Sequence, residues 1–285
     1  MTSPAPALIV IPARRTSRRL PEKPLLDLHG RTMIQRVAEA MREVPGAVVV
    51  VVTDDARVAR SAAEVGVETF VSTRRAESGS DRIRHFLDDS GRAWPELLVN
   101  VQGDEPLLEG EVVAALLRRM RDDPLVRVAT PLRGLRGVAE VSDPNVVKAS
   151  LLPGGRIEDF TRLPLEEATP AGGPDDLACA RRHRWLVHVG VYAFRGEAFR
   201  AFTDLPPSPR ERAEHLEQLR MLENDIPVHG VTVCTRSLAV DTPRDADRVR
   251  AALLAEGAAG EGPSAPGSGP PPAADSVFAP QGDAR

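Results

Sequence analysis

The sequence contains few cysteine, lysine and aromatic residues. Its 285 residues include only 2 cysteines, and aromatic residues make up 4% of the chain. The cysteines, Cys179 and Cys234, lie far apart and have no CxxC or Cys/His spacing, which argues against a disulfide framework and against a zinc site. We therefore expect a protein of a reducing compartment, the cytoplasm.

Long apolar runs and an excess of positive charge are also absent. No apolar run approaches the length of about 18 residues that a membrane span needs, and Arg14 and Arg15 interrupt the only early one. We therefore expect neither a membrane segment nor a signal peptide. The net charge of −4 argues against a general nucleic-acid binder, which usually carries a strongly basic face.

Apolar runs rich in valine and isoleucine alternate with segments of helical period in the first half of the chain. The runs cover residues 7–11, 47–53 and 97–101, and the helical segments cover residues 32–44, 56–65 and 109–121. Continuously apolar runs such as VVVVVT are typical of strands with helices on both faces. The alternation predicts an α/β fold with a doubly wound, mainly parallel sheet, in which ligands bind beyond the carboxyl ends of the strands.

The pattern changes after residue 124. Shorter strands are predicted at residues 126–132, 146–151 and 186–194, with a loop at residues 163–176, and together they indicate a smaller inserted sheet. A helix at residues 210–223, a strand at residues 228–233 and a helix after the Asp241-Thr242-Pro243 turn follow. Residues 257–285 are mostly Gly, Pro, Ala and Ser, so we expect a disordered tail there.

A loop rich in positive charge, PARRTSRRLPEKPL at residues 12–25, follows the first predicted strand. It contains Lys23, and the only other lysine of the chain is Lys148. A compact ammonium on a flexible stem can follow a moving phosphate better than a rigid guanidinium can. Like charges repel unless an anion neutralises them, so the loop is a candidate polyphosphate site. The alternative is an ordinary solvated surface loop.

A metal site is predicted where other strands end. In NVQGDEP, residues 100–106, the strand brings Asp104 to its carboxyl end, and Gly103 allows a ligand to approach the backbone. Magnesium prefers one or two carboxylates together with substrate phosphates. Asp241, in VDTP at a strand-to-helix turn, is the candidate for the second carboxylate; its alternative role is an N-cap of the last helix.

A set of short motifs occurs in a specific order along the chain. The motifs are PARRTSRRLPEKPL (residues 12–25), SGSDR (78–82), NVQGDEP (100–106), DPNVVK (143–148), HVGVY (188–192), EHLEQLR (214–220) and VDTP (240–243). In this order they resemble the 3-deoxy-manno-octulosonate cytidylyltransferase (CMP-Kdo synthetase) family, over about residues 7–255. Each motif alone is weak, whereas the ordered set is specific.

The resemblance implies a fold like that of the nucleotide-diphospho-sugar transferases, in one domain over residues 1–256. Residues 7–124 and 228–256 would form its nucleotide-binding part, and residues 125–227 its acceptor and dimerisation part. The implied reaction is the Mg2+-dependent transfer of CMP from CTP to the sugar acid Kdo, giving CMP-Kdo and pyrophosphate. The implied assembly is a homodimer; from the net charge and the short apolar runs we expect neither nucleic acid nor membrane as a partner.

The resemblance also implies roles for individual residues. The catalytic and triphosphate-binding cations would be Arg14, Arg19 and Lys23, with the backbone of Pro12 and Ala13 beside the nucleotide. Ser78, Gly79, Arg82 and Gln102 would complete the CTP site. Asp104 and Asp241 would be the catalytic metal ligands. Arg162, His188, Tyr192, Glu217 and Gln218 would shape the acceptor site, although His188 and Tyr192 could be core residues and Glu217 and Gln218 solvent-facing ones.

The chain departs from the family pattern in three places. Arg18 and Glu22 replace a threonine and a glycine, and we expect Glu22 to point outward or to pair with an arginine. Asp81 replaces a glutamate in SGSDR. TRLPLEE, residues 161–167, keeps Arg162 but lacks the usual Ile-Pro beside the acceptor. Cytidylyl transfer to a sialic-type sugar or a phosphonate therefore stays open, as do a nucleotide-sugar glycosyltransferase and a non-catalytic nucleotide-binding regulator.

Overall fold

The computed structural model describes residues 5–15, 20–137, 139–164 and 185–260 of the chain, with side chains up to residue 255. Arg18 and Arg19 of the basic loop, and residues 165–167 of TRLPLEE, therefore lie outside the described residues. In the part of the chain that is described, no helix combines the length and the apolar character that crossing a membrane requires.

One mixed β-sheet runs through the molecule. Its N-terminal half has the spatial order β3 (Glu68–Val71), β2 (Ala47–Thr53), β1 (Ala7–Ala13) and β4 (Leu97–Val101), and these neighbours pair in parallel. The sheet continues with β9 (Val191–Arg195), β5 (Val128–Arg133), β8 (Leu186–His188), β6 (Lys148–Leu151) and β7 (Ile157–Thr161), which pair antiparallel. The strand β10 (Val228–Thr232) pairs in parallel with β5.

Helices cover both faces of this sheet, as a doubly wound fold requires. The described helices are α1 (Met33–Arg42), α2 (Ala56–Ala63), α3 (Gly79–Asp89), α4 (Gly110–Asp122), α5 (Ala139–Ser142), α6 (Gly196–Asp204), α7 (Pro209–Glu214), α8 (Leu219–Leu222) and α9 (Pro243–Gly260). Side chains alternate along β1, so Ile9 and Ile11 pack with α1, α2 and α4, whereas Leu8 and Val10 pack with α3 and α6. The predicted α/β class is confirmed, and the shorter strands extend the same sheet.

Two predicted elements are each divided in the structure. The strand predicted at residues 186–194 is two strands, β8 and β9, because the chain turns at Gly190 and the two strands take different neighbours in the sheet. The helix predicted at residues 210–223 is also wrong as a continuous element. It is interrupted at His215, whose φ of 54° is left-handed and ends α7.

The helix α3 was not predicted, although its start is encoded locally. Ser78 is its N-cap: the Ser78 hydroxyl accepts from the Asp81 backbone N–H at 3.1 Å, and Asp81 Oδ2 accepts from the Ser78 N–H at 3.0 Å. This reciprocal pair is a capping box. The shorter acid at position 81 thus still reaches its partner.

At the other end of the chain, α9 extends to Gly260, so residues 257–260 are helical, and residues 261–285 lie outside the described residues.

Candidate active site

A cleft of about 880 Å³ opens at the carboxyl ends of the central strands. Parallel neighbours end at the same edge of a sheet, which places the residues after β1 and β4 together with the start of α3. The cleft is lined by Pro12, Ala13, Arg14, Lys23, Pro24, Ala76, Glu77, Ser78, Gly79, Arg82, Gln102, Gly103, Asp104, His215 and Asp241. It therefore gathers every predicted nucleotide and metal residue except Arg19, which is not among the described residues.

Lys23 joins the two predicted metal carboxylates. Its ammonium donates to Asp104 Oδ2 at 2.7 Å, to Asp241 Oδ1 at 3.1 Å and to the Val240 carbonyl at 2.7 Å. The Lys23 side chain is 13% exposed, whereas that of Asp241 is 46% exposed. The two carboxylates thus converge on one point that a single cation can occupy, and the cation there is Lys23.

The start of α3 forms a second wall of the cleft. A helix N-terminus presents unpaired N–H groups and partial positive charge, both of which favour an anion. Glu217 holds this start from the α7–α8 turn, because its carboxyl oxygens accept from Ser78 Oγ at 2.8 Å and from Ser80 Oγ at 2.9 Å. Burial raises the pKa of Glu217 above its usual value, and the two serine hydrogen bonds oppose that rise.

Arg82 is a buried cation of this wall. Its side chain is 6% exposed, and Nη2 donates to Asp54 Oδ2 at 2.9 Å. Its other terminal nitrogen, Nη1, is buried without a hydrogen-bond partner among the described residues. Asp54 also accepts from the Arg15 backbone N–H at 3.2 Å, so it ties the start of the basic loop to Arg82.

The expectation for Glu22 is confirmed. Glu22 Oε1 accepts from Arg57 Nη2 at 2.6 Å, so its charge is paired with a cation of α2. Its backbone is left-handed, with φ of 54°, a conformation that glycine adopts without a steric penalty. This geometry explains why a glycine is usual at this position in the family.

Gly103 is required by the packing of the two strand ends. A Cβ at Gly103 would lie 3.1 Å from the Pro12 carbonyl oxygen and 3.5 Å from the Ala13 Cβ. Gly79 is similarly crowded, because a Cβ added there would lie 3.2 Å from Pro12 Cγ and 3.4 Å from Gln102 Oε1. The predicted approach of a ligand is therefore not needed to explain Gly103, because the neighbouring strand end already occupies that space.

The predicted acceptor residues His188 and Tyr192 lie beside one another on β8 and β9. Their ring centroids are 5.2 Å apart, and the His188 ring also packs edge-on against Phe160 at 5.2 Å. Burial and the positive charge of Arg162 lower the pKa of His188 to about 3. The Tyr192 hydroxyl is buried and has no hydrogen-bond partner among the described residues. Burial and the Glu217 charge raise the pKa of Tyr192.

Arg162 is anchored through its backbone by the second lysine. The Lys148 ammonium, fully buried, donates to the Arg162 carbonyl and to the Asp143 carbonyl, each at 3.1 Å. The Arg162 guanidinium donates to the Pro144 carbonyl at 3.1 Å. Gln218, the last predicted acceptor residue, is buried at the start of α8. The structure thus brings His188, Tyr192 and Glu217 together and places Arg162 near His188.

Glu105 connects the segments of Asp104 and Asp241 to the segment that carries His188 and Tyr192. It is 6% exposed, accepts from the Ser237 hydroxyl and faces the backbone of Gly190, whose N–H acts to lower its pKa. Burial raises the pKa of Glu105 to about 7. Asp104 is its neighbour in sequence, Gly190 lies between β8 and β9, and Ser237 precedes Asp241. A single carboxyl group therefore fixes three segments that border the site.

The donor set fits a hard cation such as Mg2+. Asp104 and Asp241 provide carboxylate oxygens that already converge on one ammonium. Among the described residues there is no group of three or more His, Cys, Asp or Glu side chains that could hold a metal by themselves. A cation at this point would therefore complete its coordination with phosphate oxygens and water, which is the usual arrangement for magnesium.

Sequence reasoning assigned no role to Asp54, Glu105 and His215, which all border or support the cleft. Asp54 follows β2 directly, so the strand-end rule that selected Asp104 could also have found it. Glu105 lies one residue from Asp104 in the same motif. His215 carries no local signal beyond its place in EHLEQLR, because its left-handed backbone is visible only in the fold.

Comparison with known proteins identifies close sequence relatives. The chain matches the family model described as cytidylyltransferase over residues 8–231. It is 37% identical over 251 residues to 3-deoxy-manno-octulosonate cytidylyltransferase of Escherichia coli, covering 88% of this chain and 97% of that protein. Its identity to the protein of the same name from Verminephrobacter eiseniae is also 37%, over 256 residues, with coverages of 86% and 94%.

Solved structures agree with these relatives. The structure of CMP:2-keto-3-deoxy-manno-octonic acid synthetase complexed with CTP superposes with a TM-score of 0.78 at 38% identity, covering 88% of this chain and 99% of that chain. A cytidylyltransferase of Leptospira borgpetersenii has a TM-score of 0.57 at 14% identity, covering 89% and 88%. At 14% identity, the similarity to the Leptospira borgpetersenii protein shows a shared fold alone.

Proposed function

Because the chain belongs to the cytidylyltransferase family, and within it to the 3-deoxy-manno-octulosonate cytidylyltransferases, we propose that it transfers CMP from CTP to Kdo. The anomeric hydroxyl oxygen of the sugar acid attacks the α-phosphorus of CTP. The new oxygen–phosphorus bond forms as the bond to pyrophosphate breaks, and the hydroxyl proton passes to solvent. The products are CMP-Kdo and pyrophosphate.

The convergence of Asp104 and Asp241 on Lys23, inside a cleft lined by cations, is the observation that carries this proposal. Positioning and charge stabilisation supply most of the rate in transfers of this kind. A cleft that only bound a nucleotide for regulation would not need two carboxylates beside a polyanion, because their negative charges repel it. The pair therefore favours an enzyme over a non-catalytic regulator.

We propose that Asp104 and Asp241 hold Mg2+ during turnover. When bound, the metal polarises the α-phosphate and offsets the charge of the departing pyrophosphate. Lys23, on its flexible stem, can then exchange its carboxylate partners for phosphate oxygens. Arg14 and Arg19 are further candidates for the outer phosphates, in line with the strength of charge-assisted hydrogen bonds.

The nucleotide itself is proposed to lie between the end of β1 and the start of α3. Pro12 and Ala13 contribute backbone, Ser78 and Gly79 contribute the helix start, and Gln102 contributes an amide at the same cleft. Arg82 Nη1, buried without a partner among the described residues, is available to donate to CTP. Burying a guanidinium with an unused donor is costly, so a ligand oxygen there would be stabilising.

The sugar acid is proposed to bind where His188, Tyr192, Glu217 and Arg162 approach one another, with Gln218 nearby. The buried Tyr192 hydroxyl supports this placement, because it has no partner among the described residues. The four residues include a cation for the acceptor carboxylate and several groups for hydroxyls. Sugar acids carry both kinds of group.

Pyrophosphate release with CTP and Mg2+ tests the proposed function, with Kdo, a sialic acid and small phosphonates as alternative acceptors. Release with Kdo at a kcat/KM well above the other acceptors is expected. A higher kcat/KM with the sialic acid or a phosphonate would show that the acceptor is an acid of that kind and not Kdo. Absence of release with every acceptor would contradict the enzyme, and transfer from a nucleotide sugar without pyrophosphate would indicate a glycosyltransferase.

We also propose that the enzyme is a homodimer, as its family resemblance implies, and that it works in the cytoplasm, as its low cysteine content indicates. Light scattering coupled to gel filtration checks the assembly, with twice the chain mass expected. A monomer at concentrations that support full activity would contradict the dimer. Fractionation of cells that express the chain checks the location.

A further inference from the structure

Thr130, a fully buried residue of β5, makes two contacts through one hydroxyl group. Its Oγ1 donates to the Val191 carbonyl oxygen at 2.7 Å and lies 2.9 Å from His188 Nε2. A hydroxyl has one hydrogen, and a carbonyl oxygen can only accept. Because the Thr130 hydrogen is used at Val191, the hydrogen of the second contact must come from the imidazole.

His188 is therefore protonated on Nε2. Burial and the charge of Arg162 lower its pKa to about 3, so the ring is neutral near physiological pH and carries a single N–H. A neutral imidazole with its hydrogen on Nε2 has an acceptor lone pair on Nδ1. His188 Nδ1 is not one of the fully buried, unpartnered nitrogens of the described residues, unlike Nδ1 of His85 and of His229, so it keeps some contact with solvent.

We propose that Thr130 is a positioning residue that locks His188 in the Nε2–H tautomer, so that Nδ1 accepts a hydrogen bond from a hydroxyl of the sugar-acid acceptor. This inference rests on the proposed function, in which His188 borders the acceptor. The Nε2–H tautomer also determines which group of the acceptor can contact His188. A carboxylate cannot donate to Nδ1, so His188 recognises a hydroxyl, and the acceptor carboxylate is left to a cation such as Arg162.

The tautomer itself can be measured without any substrate. Nitrogen NMR of the uniformly labelled full chain distinguishes an N–H nitrogen from a bare one in each imidazole ring, and the His188 signal is assigned by its loss in His188→Gln. We expect a neutral ring with hydrogen on Nε2. Hydrogen on Nδ1, or on both nitrogens near neutral pH, would overturn the proposal whatever the activity of the enzyme.

Substitution of Thr130 tests the link to the acceptor. Thr130→Val removes the hydroxyl at nearly constant volume, so the His188 signal should lose its single-tautomer pattern. The KM for the acceptor should rise about three- to tenfold, the effect of one lost hydrogen bond, while the KM for CTP stays within about twofold. Thr130→Ser keeps the hydroxyl and should restore both readouts; a serine variant that behaves like the valine variant would overturn the proposal.

Thr203 offers a matched control on α6. Its hydroxyl likewise donates to a backbone carbonyl, that of Phe199 at 2.9 Å, and accepts from a side-chain N–H, that of Arg84 at 3.1 Å. Thr203→Val should leave the His188 signal and both KM values unchanged.

A changed tautomer in Thr130→Val with an unchanged acceptor KM would show that Nδ1 does not contact the acceptor, and would overturn that part of the inference. Because the NMR readout needs no turnover, failure of the proposed function remains distinguishable from failure of the tautomer assignment.

Discussion

Lys23 donates a hydrogen bond of 2.7 Å to Asp104, although 81 residues separate them in the chain. The same ammonium reaches Asp241 at 3.1 Å. Two carboxylates at one point would repel each other, and the lysine between them offsets that repulsion before any substrate arrives. The chain thus holds both carboxylates together with a cation of its own.

Asp104→Asn tests the role of this carboxylate. The amide keeps the shape of the side chain but removes the charge that faces Lys23 and a bound metal. We expect pyrophosphate release to fall by about 100-fold or more, whereas the melting temperature changes little because the Asp104 side chain is partly exposed. Asp88→Asn, which removes an α3 surface partner of Arg84, is the control and should retain activity. Unchanged activity in Asp104→Asn would remove the metal assignment.

Asp54→Asn tests the anchor of Arg82. Without its charged partner the buried guanidinium is held less firmly in the cleft, and the Arg15 backbone loses a charged acceptor. We expect the KM for CTP to rise about tenfold and kcat to change by less than about threefold, since charge-assisted hydrogen bonds contribute roughly 1.5–3 kcal/mol. Steady-state kinetics with varied CTP measures both.

Asp89→Asn is the control for that experiment. Asp89 pairs with Arg74 at 3.1 Å, but both side chains are well exposed, and surface pairs contribute about 0–1 kcal/mol. The KM for CTP should therefore stay unchanged in this variant. Equal effects of the two substitutions would show that Asp54 has no special connection to the nucleotide.

The sequence predicts six elements of the first half of the fold because their signals are local, but it misses β3 and α3 of the same half. The apolar runs of β1, β2 and β4 and the helical periods of α1, α2 and α4 each lie within one element. Their carboxyl ends then bring Pro12 and Asp104 to one edge without any knowledge of long-range contacts. The confirmed elements are those whose period and length need no partner to be recognised.

Other failures occur where distant residues decide the local structure. His215 takes a left-handed backbone between segments that each look helical, while Leu216 is buried in the core and Glu217 is held by Ser78. The contact of Lys23 with both carboxylates joins residues 81 and 218 positions apart. The periodicity of the sequence carries no information on the His215 backbone or on the contacts of Lys23. The sequence could therefore suggest the residues of the site but not their pairing.

The stability of the protein should respond to acid through His188. Its pKa is about 3 in the folded chain and 6.5 in its ordinary state, so the unfolded chain takes up a proton first as the pH falls below 6.5. Folded stability is therefore lost between pH 6.5 and about 3. At pH 5 this loss is at most about 2 kcal/mol, and residual solvent contact of the ring reduces it.

His188→Gln should remove the part of the acid-induced loss of folding stability that comes from His188. Urea unfolding of the wild type and the variant at pH 7 and pH 5 gives the difference, which cancels the contributions of other groups. The wild type should lose more stability than the variant on going to pH 5. An equal loss in both would show that His188 keeps an ordinary pKa in the folded chain.

The connection made by Glu105 can be separated from general stability because the chain contains a parallel case. Glu105 accepts from the Ser237 hydroxyl and faces the Gly190 backbone, whereas Glu109, four residues later, accepts from the Thr235 hydroxyl and from the Arg236 N–H at 3.1 Å. Both therefore fasten the segment that leads to Asp241, but only Glu105 also reaches the turn between β8 and β9.

Alanine at either position should lower the free energy of unfolding by about 1–3 kcal/mol, because each leaves hydrogen-bond partners unpaired. Only Glu105→Ala should also lower kcat/KM for the sugar acid, by about tenfold or more, since the turn that carries His188 and Tyr192 loses its tie to Asp104. Glu105→Gln keeps an oxygen for the Gly190 N–H and an amide group for Ser237, so it should retain most of the activity. If Glu109→Ala lowered the acceptor kcat/KM as much as Glu105→Ala, loosening of the shared segment would explain the effect. Glu105 would then support the fold without positioning the acceptor.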